Sequence, residues 1–170
     1  FNIAYVTSLT DLSRPGLDEV QHPTDPTDAY VYRVEPLAPR ALVARAVLPV
    51  AHPEDAIAHV EHGDDPLSRI AVVAGDMPSD LPAAMRGEVT IELYQPDRIV
   101  LRARMDTAGL IVVNDAYHPG WCAWVDGAAQ PIVRANYFAR GVYAGAGDHR
   151  IVLAYQPRNH TIGAIISACA

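Results

Sequence analysis

Residues 87–105 read GEVTIELYQPDRIVLRARM, and the fold class follows from how this stretch alternates. Val89, Ile91 and Leu93 are interleaved with Thr90, Glu92 and Tyr94. Beyond Gln95-Pro96-Asp97, Ile99, Leu101, Ala103 and Met105 are interleaved with Arg98, Val100, Arg102 and Arg104. A period of two sends successive side chains to opposite faces of a strand. Folding the stretch about its three-residue loop pairs Leu93 with Ile99, Ile91 with Leu101 and Val89 with Ala103 on an apolar face. The same register pairs Tyr94 with Arg98 and Thr90 with Arg102 on a polar face. One register that suits both faces is what a half-buried antiparallel hairpin requires.

Working outward, the chain continues in the same manner. Toward the C-terminus, strands are expected at Leu110 to Asn114, Trp121 to Val125 (turning through Asp126-Gly127 toward Pro131 to Arg134), Tyr137 to Tyr143 and His149 to Tyr155. Close, even spacing with turn residues between such runs predicts an antiparallel β-sandwich, jelly-roll-like, with one or two short helices. Toward the N-terminus, Asn2 to Thr7, Ala29 to Val34, Ala41 to Val50 and Arg69 to Gly75 have strand character, and Ser8 to Asp28 reads as an exposed loop. Pro53 to His62 is the best helix candidate, with Pro53 at its first position, Glu54 and Asp55 in the first turn and Gly63 as a stop. Met77 to Arg86, with Pro78 and Pro82, looks like a linker. The expected organisation is therefore an N-terminal part at 1–76, either a separate small domain or part of the same one, a sandwich at 87–160, and an uncharged apolar end at 161–170.

Composition narrows the function classes. The chain has 170 residues, half of them hydrophobic, and 14 prolines, which suits many short strands better than a helix bundle. All 13 basic residues are arginine, and the formal net charge is -7. That balance argues against a nucleic-acid partner, which needs clustered basic residues to neutralise phosphates. It equally disfavours adhesion to an anionic bilayer through a basic face. Cys122 and Cys169 stand far apart in unlike contexts, so no disulfide framework is indicated. The chain begins with Phe1 and ends in the run Thr161 to Ala170, too short for a spanning helix of about 20 residues. That run reads as the first turns of a truncated transmembrane helix, with a core or amphipathic strand as the alternative.

Special residues concentrate in Asp115-Ala116-Tyr117-His118-Pro119-Gly120-Trp121-Cys122-Ala123-Trp124-Val125-Asp126-Gly127. They continue through Pro131 to Asn136, Phe138, and Gly147-Asp148-His149. This succession resembles the C-terminal extracytoplasmic domain of the YfhO-like bacterial membrane protein family, polytopic proteins related to membrane glycosyltransferases of the GT-C type. In that family a buried strand leads to a Tyr-x-x-Gly-Trp turn, an Asp-Gly hairpin, an Arg-Ala-Asn strand end, a Gly-x-His turn and then a transmembrane helix. The similarity covers Val89 to His160, and Ala29 to Leu48 is similar to the strand pair that precedes it. The resemblance implies a domain on the extracytoplasmic side of a bacterial cell membrane. Its partners would be the rest of its own membrane protein and a glycan or lipid-linked sugar, with no cofactor. The family's catalytic acids lie in loops near the N-terminus of the whole protein, so none is carried over to this chain. Nothing is carried over to Cys122 or Trp124 either.

The residues themselves suggest where a glycan would bind. An aromatic face offers apolar contact to a pyranose ring, and polar neighbours supply hydrogen bonds. Trp124, Tyr117 and Tyr137, with Asp115, Arg134 and Asn136, form the candidate glycan-binding set. Trp121 alternates inward as core, and Trp124 falls on the opposite face. The competing reading makes Tyr117 with Pro119-Gly120 a turn former and the aromatics core. His59 and His62, beside Glu61, Asp64 and Asp65, have metal-ligand spacing on a helix but no identifiable distant third ligand. Asp115 with His118, joined by Ser8 or Ser68, could be read as catalytic, yet no Gly-x-Ser-x-Gly elbow, phosphate loop or dinucleotide fingerprint is present. The sequence thus predicts a non-catalytic module, with a purely structural role as the alternative and a stand-alone hydrolase as the third reading.

Overall fold

The computed structural model describes residues 5–12, 17–22, 24–25, 29–34, 39–57, 70–74 and 77–157. It is mainly β, with three sheets built almost wholly from antiparallel pairs. The chain forms two compact units, residues 1–39 and 40–170.

In the first unit, β1 (Tyr5–Ser8), β2 (Leu17–Gln21) and β3 (Tyr30–Val34) make a small antiparallel sheet with β3 central. Its buried anchor is Tyr32, whose hydroxyl donates to Asp11 Oδ1 (2.9 Å) and accepts from the Leu12 N–H (2.9 Å). The expected loop at Ser8 to Asp28 therefore contains a strand. The stretch Leu17-Asp18-Glu19-Val20-Gln21 is mostly exposed and lacks the apolar alternation that would mark it. Its pairing with β3 comes from the backbone, across a bulge between Glu19 and Gln21.

The second unit is a sandwich of two sheets. One holds five strands in the order β11 (Ala128–Gln130), β10 (Trp121–Val125), β14 (Gly147–Tyr155), β8 (Arg98–Met105) and β7 (Gly87–Tyr94). The other holds six: β4 (Ala41–Val43), β9 (Gly109–Val113), β13 (Ala139–Ala144), β12 (Val133–Ala135), β6 (Ile70–Ala74) and β5 (Ala46–Val50). Strands β4 to β6 come from the 1–76 part and pair into the same sheet as the later strands. Between the sheets, Ile99, Leu101, Ala103 and Met105 of β8 and Ile151 and Leu153 of β14 meet Ile111 and Val113 of β9 and Val142 and Ala144 of β13. A second cluster lines the far face of the six-stranded sheet, where Leu110, Val112, Val73 and Ala135 pack with Met85. Strand β9 is consequently buried along its whole length, as a continuous Leu-Ile-Val-Val run allows. The 77–86 segment carries Met85 into that second core, and the Met85 N–H donates to the Arg45 carbonyl (2.8 Å).

Two expectations need correction, and a third is seen only in part. Ala41 to Val50 is two strands, because the chain turns at Ala44-Arg45 to leave β9 and run parallel to β6; the Ala44 N–H still donates to the Leu110 carbonyl (2.9 Å). The expected helix at Pro53 to His62 is seen as a single turn, Asp55 to Ile57, held by bonds spanning three residues, with Pro53 and Glu54 in the turn before it; residues 58–62, His59 and His62 among them, lie outside the described residues, as does Ser68. The 87–105 hairpin keeps Val89 opposite Ala103, Ile91 opposite Leu101 and Thr90 opposite Arg102, but shifts by one at Glu92, so that Leu93 faces Val100 and Tyr94 faces Ile99. Gln95 and Arg98 bond each other at the turn, leaving a two-residue loop, and the β-bulge at Glu92 absorbs the mismatch.

Candidate functional site

The bulge decides which residues meet. It carries Tyr94 to the face of Ile99, where the Tyr94 hydroxyl donates to Asp115 Oδ2 (3.0 Å). Without the extra residue, the alternation would hold Tyr94 on the opposite face with Arg98. Asp115 sits just past the end of β9, 12% exposed, and is also gripped by Arg40 Nη1 (2.7 Å) and Arg140 Nη2 (3.2 Å). Arg40 precedes β4 and lies over the Tyr94 ring at 4.6 Å. Arg140 belongs to β13 and lies over the Trp121 ring at 4.0 Å. Two guanidiniums, two aromatic rings and one carboxylate thus join five segments at one end of the sandwich. Burial pushes the Arg140 guanidinium below its usual range, opposed by the Asp115 charge, and burial together with Asp115 raises the Tyr94 hydroxyl. Every polar contact of Asp115 is spent inside the fold, and the arrangement acts as a clasp.

The other sequence-predicted site residues fall in two further places. Tyr117, Arg134, Asn136 and Tyr137 gather where the β9–β10 loop meets the β12–β13 turn, and Arg134 lies over the Tyr117 ring at 4.9 Å. The Tyr117 N–H donates to the Phe138 carbonyl (2.6 Å). Asn136 is a bracket: its Oδ1 accepts from the Val72 N–H (2.9 Å), and its own N–H donates to the Val72 carbonyl (2.7 Å). Both Asn136 (φ 50°) and Tyr137 (φ 68°) have left-handed backbone, and the Phe138 N–H bonds the Asn136 carbonyl across Tyr137. This is a strained three-residue turn that holds the Tyr137 side chain 44% exposed. Asn136→Ala removes an acceptor from a buried N–H and puts a poorer residue at positive φ. It is expected to lower unfolding stability by about 2 kcal/mol, measured as a fall in urea midpoint with unchanged slope.

Trp124 stands apart from both groups. It is half-buried on the outer face of the five-stranded sheet, where Trp124, Val152, Val100 and Leu93 are register partners in a row across β10, β14, β8 and β7. Beside it runs an open groove of about 360 Å³ lined by Arg98, Trp124, Asp126, Gly127, Arg150, Val152, Ala154 and Gln156. The small residues Ala154 and Gly127 leave the room that the indole borders. Asp126 and Gly127 both have positive φ (51° and 86°) and make the tight β10–β11 turn. Asp126 also ties that turn to β14: its Oδ1 accepts from the Arg150 N–H (2.8 Å) and its Oδ2 contacts His149 Nδ1 (2.7 Å). Those two bonds, the Arg150 one foremost, hold its carboxyl below the usual range. A second depression of about 480 Å³, lined by Val43, Arg45, Ala84, Met85, Arg86 and Gly87, has no aromatic wall.

The six candidate residues therefore do not form one site. Trp124 faces a groove, while Asp115 and Asn136 are occupied in holding the fold. Arg98, Arg150 and Gln156 share the groove with Trp124 without belonging to the candidate set, although the outward phase of Arg98 on β8 and of Arg150 on β14 is legible in the alternation. Asp115 and His118 do not pair through any described bond, since His118 Nδ1 accepts from the Gly120 N–H (3.0 Å) and Asp115 faces the arginines. Among the described residues, no three His, Cys, Asp or Glu side chains are grouped to hold a metal ion. Comparison of the chain with protein-family models, curated proteins and solved structures returned no match.

Proposed function

We propose that this chain is a non-catalytic, carbohydrate-binding module on the extracytoplasmic side of a bacterial polytopic membrane protein related to glycosyltransferases. It would help position a glycan or a lipid-linked sugar acceptor beside a catalytic site built elsewhere. The observation that carries the reading is the Trp124 groove. A half-exposed indole on a rigid sheet face supplies the apolar contact that a pyranose ring needs, and Arg98, Arg150 and Gln156 supply planar hydrogen-bond donors around it. Strands hold such groups more rigidly than loops, so less ordering accompanies binding. The parentage rests on the resemblance at Val89 to His160. Among the described residues no helix is long and apolar enough to cross a membrane, which says nothing of a β-barrel, and 161–170 lie outside them.

A glycan array followed by calorimetric titration of the hits is the direct test. Trp124→Ala is expected to weaken binding of a hit at least tenfold, equivalent to about 1.4 kcal/mol, with the far-ultraviolet circular dichroism unchanged. The alternative, a purely structural or assembly module, draws on the internal engagement of Asp115 and Asn136. Absence of any saccharide binding, or binding indifferent to Trp124, would select it.

A further inference from the structure

We infer that the saccharide taken by the Trp124 groove is acidic: a pyranose carrying a carboxylate, as in a hexuronate. This rests on the saccharide reading above and adds the charge of the ligand to it. The argument begins with register. On the outer face, Arg98 lies opposite Ala154 and Arg150 lies two residues before Val152, the partner of Trp124. The two arginines therefore flank the floor made by Val152 and Ala154, one toward each end of the groove.

Their charges are only partly matched locally. Arg98 has no carboxylate partner among the described residues. Arg150 forms a long ion pair with Glu92, Nε to Oε2 at 3.7 Å, and shares that carboxylate with Arg102, whose Nε bonds Oε1 at 2.8 Å. The one acidic lining residue, Asp126, keeps its charge but has both oxygens engaged, by the Arg150 N–H and by His149, so that a single carboxylate lines the groove beside two guanidiniums. The Arg98 guanidinium and the Nη edge of Arg150 thus border an aromatic wall and a small-residue floor. A carboxylate suits this arrangement, because a guanidinium presents a planar fork that binds it in bidentate fashion.

The formal net charge of -7 opposes any anion. At physiological ionic strength, however, charges more than about 8 Å away are largely screened. At contact, a charge-assisted hydrogen bond is among the strongest a protein makes. The local pair outweighs the distant field, and the preference should weaken as salt is raised.

The test is calorimetric titration of the full chain with trigalacturonate and with its fully methyl-esterified form, which keeps shape and removes charge. The wild type is expected to bind the acid at least tenfold more tightly than the ester, with the difference shrinking between 50 and 300 mM salt (concentrations of about these values span the screening range). Arg98→Gln and Arg150→Gln should each remove most of the difference, while Trp124→Ala should weaken both ligands. Equal affinity for acid and ester, both dependent on Trp124, would overturn the charge inference and leave the saccharide reading standing. A preference for the acid that survives both arginine substitutions would overturn it as well. If neither these ligands nor any array glycan binds, the saccharide reading itself fails. Circular dichroism and the urea midpoint of each variant separate lost contacts from lost folding.

Discussion

Asp115→Ala is expected to destabilise the second unit by about 3–5 kcal/mol, the usual consequence of removing one member of a buried charge cluster. Asp115 is the only carboxylate shown bonded to Arg40 and Arg140 among the described residues, and the Arg140 side chain is just 5% exposed. The loss leaves Arg140 buried without a counter-charge, with its Nη1 already lacking a hydrogen-bond partner among the described residues. Arg40 is one-third exposed and can turn to water, which keeps the effect near the lower end of the range. Asp115→Asn, almost the same size, isolates charge from shape and should retain most of the destabilisation. Adding Arg140→Met to Asp115→Asn should recover a large part of it, because the uncompensated ion is then gone. Urea unfolding followed by tryptophan fluorescence reads this unit selectively, since both tryptophans lie on β10. A fall of less than 1 kcal/mol (about the contribution of an exposed pair) would show that the clasp is not what joins these segments.

Leu101→Ala is expected to lower stability by a similar amount, about 3 kcal/mol within the 2–5 seen for such truncations. Leu101 is fully buried in the middle of β8, with Ile91 and Ile151 as its cross-strand partners. It faces a core supplied by both sheets, so the surroundings cannot collapse onto the space without moving a sheet. Ile91→Ala, on the edge strand β7 and 39% exposed, should cost under half as much. The contrast between the two, measured by the same urea titration, checks the layer assignment. Equal losses would be incompatible with β7 as an edge.

How far these residues could be read from the chain varies with the interaction. The inward set on β8 and β14 was legible, because Ile99, Leu101, Ala103 and Met105 are spaced at two, as are Ile151 and Leu153. The Asp126-Gly127 turn was legible for the same kind of local reason: those residue types tolerate positive φ. Strand β2 was not, since an edge strand of mostly exposed polar residues carries no periodic signature. Nor was the break at Ala44-Arg45, where both halves have the same apolar composition and only their partners differ, β9 for one and β6 for the other.

The candidate site divides along the same line. That Trp124 and Trp121 take opposite faces followed from the strand period, and so would the outward placement of Arg98 and Arg150. That Asp115 joins Arg40, 75 positions away, and that Asn136 brackets Val72, 64 positions away, are matters of sheet order. By itself, the sequence determined the β class, the central hairpin and the faces of its strands, because alternation, turn chemistry and side-chain size act over a few neighbouring residues. Tertiary structure decided the bulge at Glu92, the buried clasp at Asp115 and the separation of Trp124 from the other aromatics. Each of those depends on which distant strands become neighbours, and a difference of one residue in pairing moves a side chain from one face to the other.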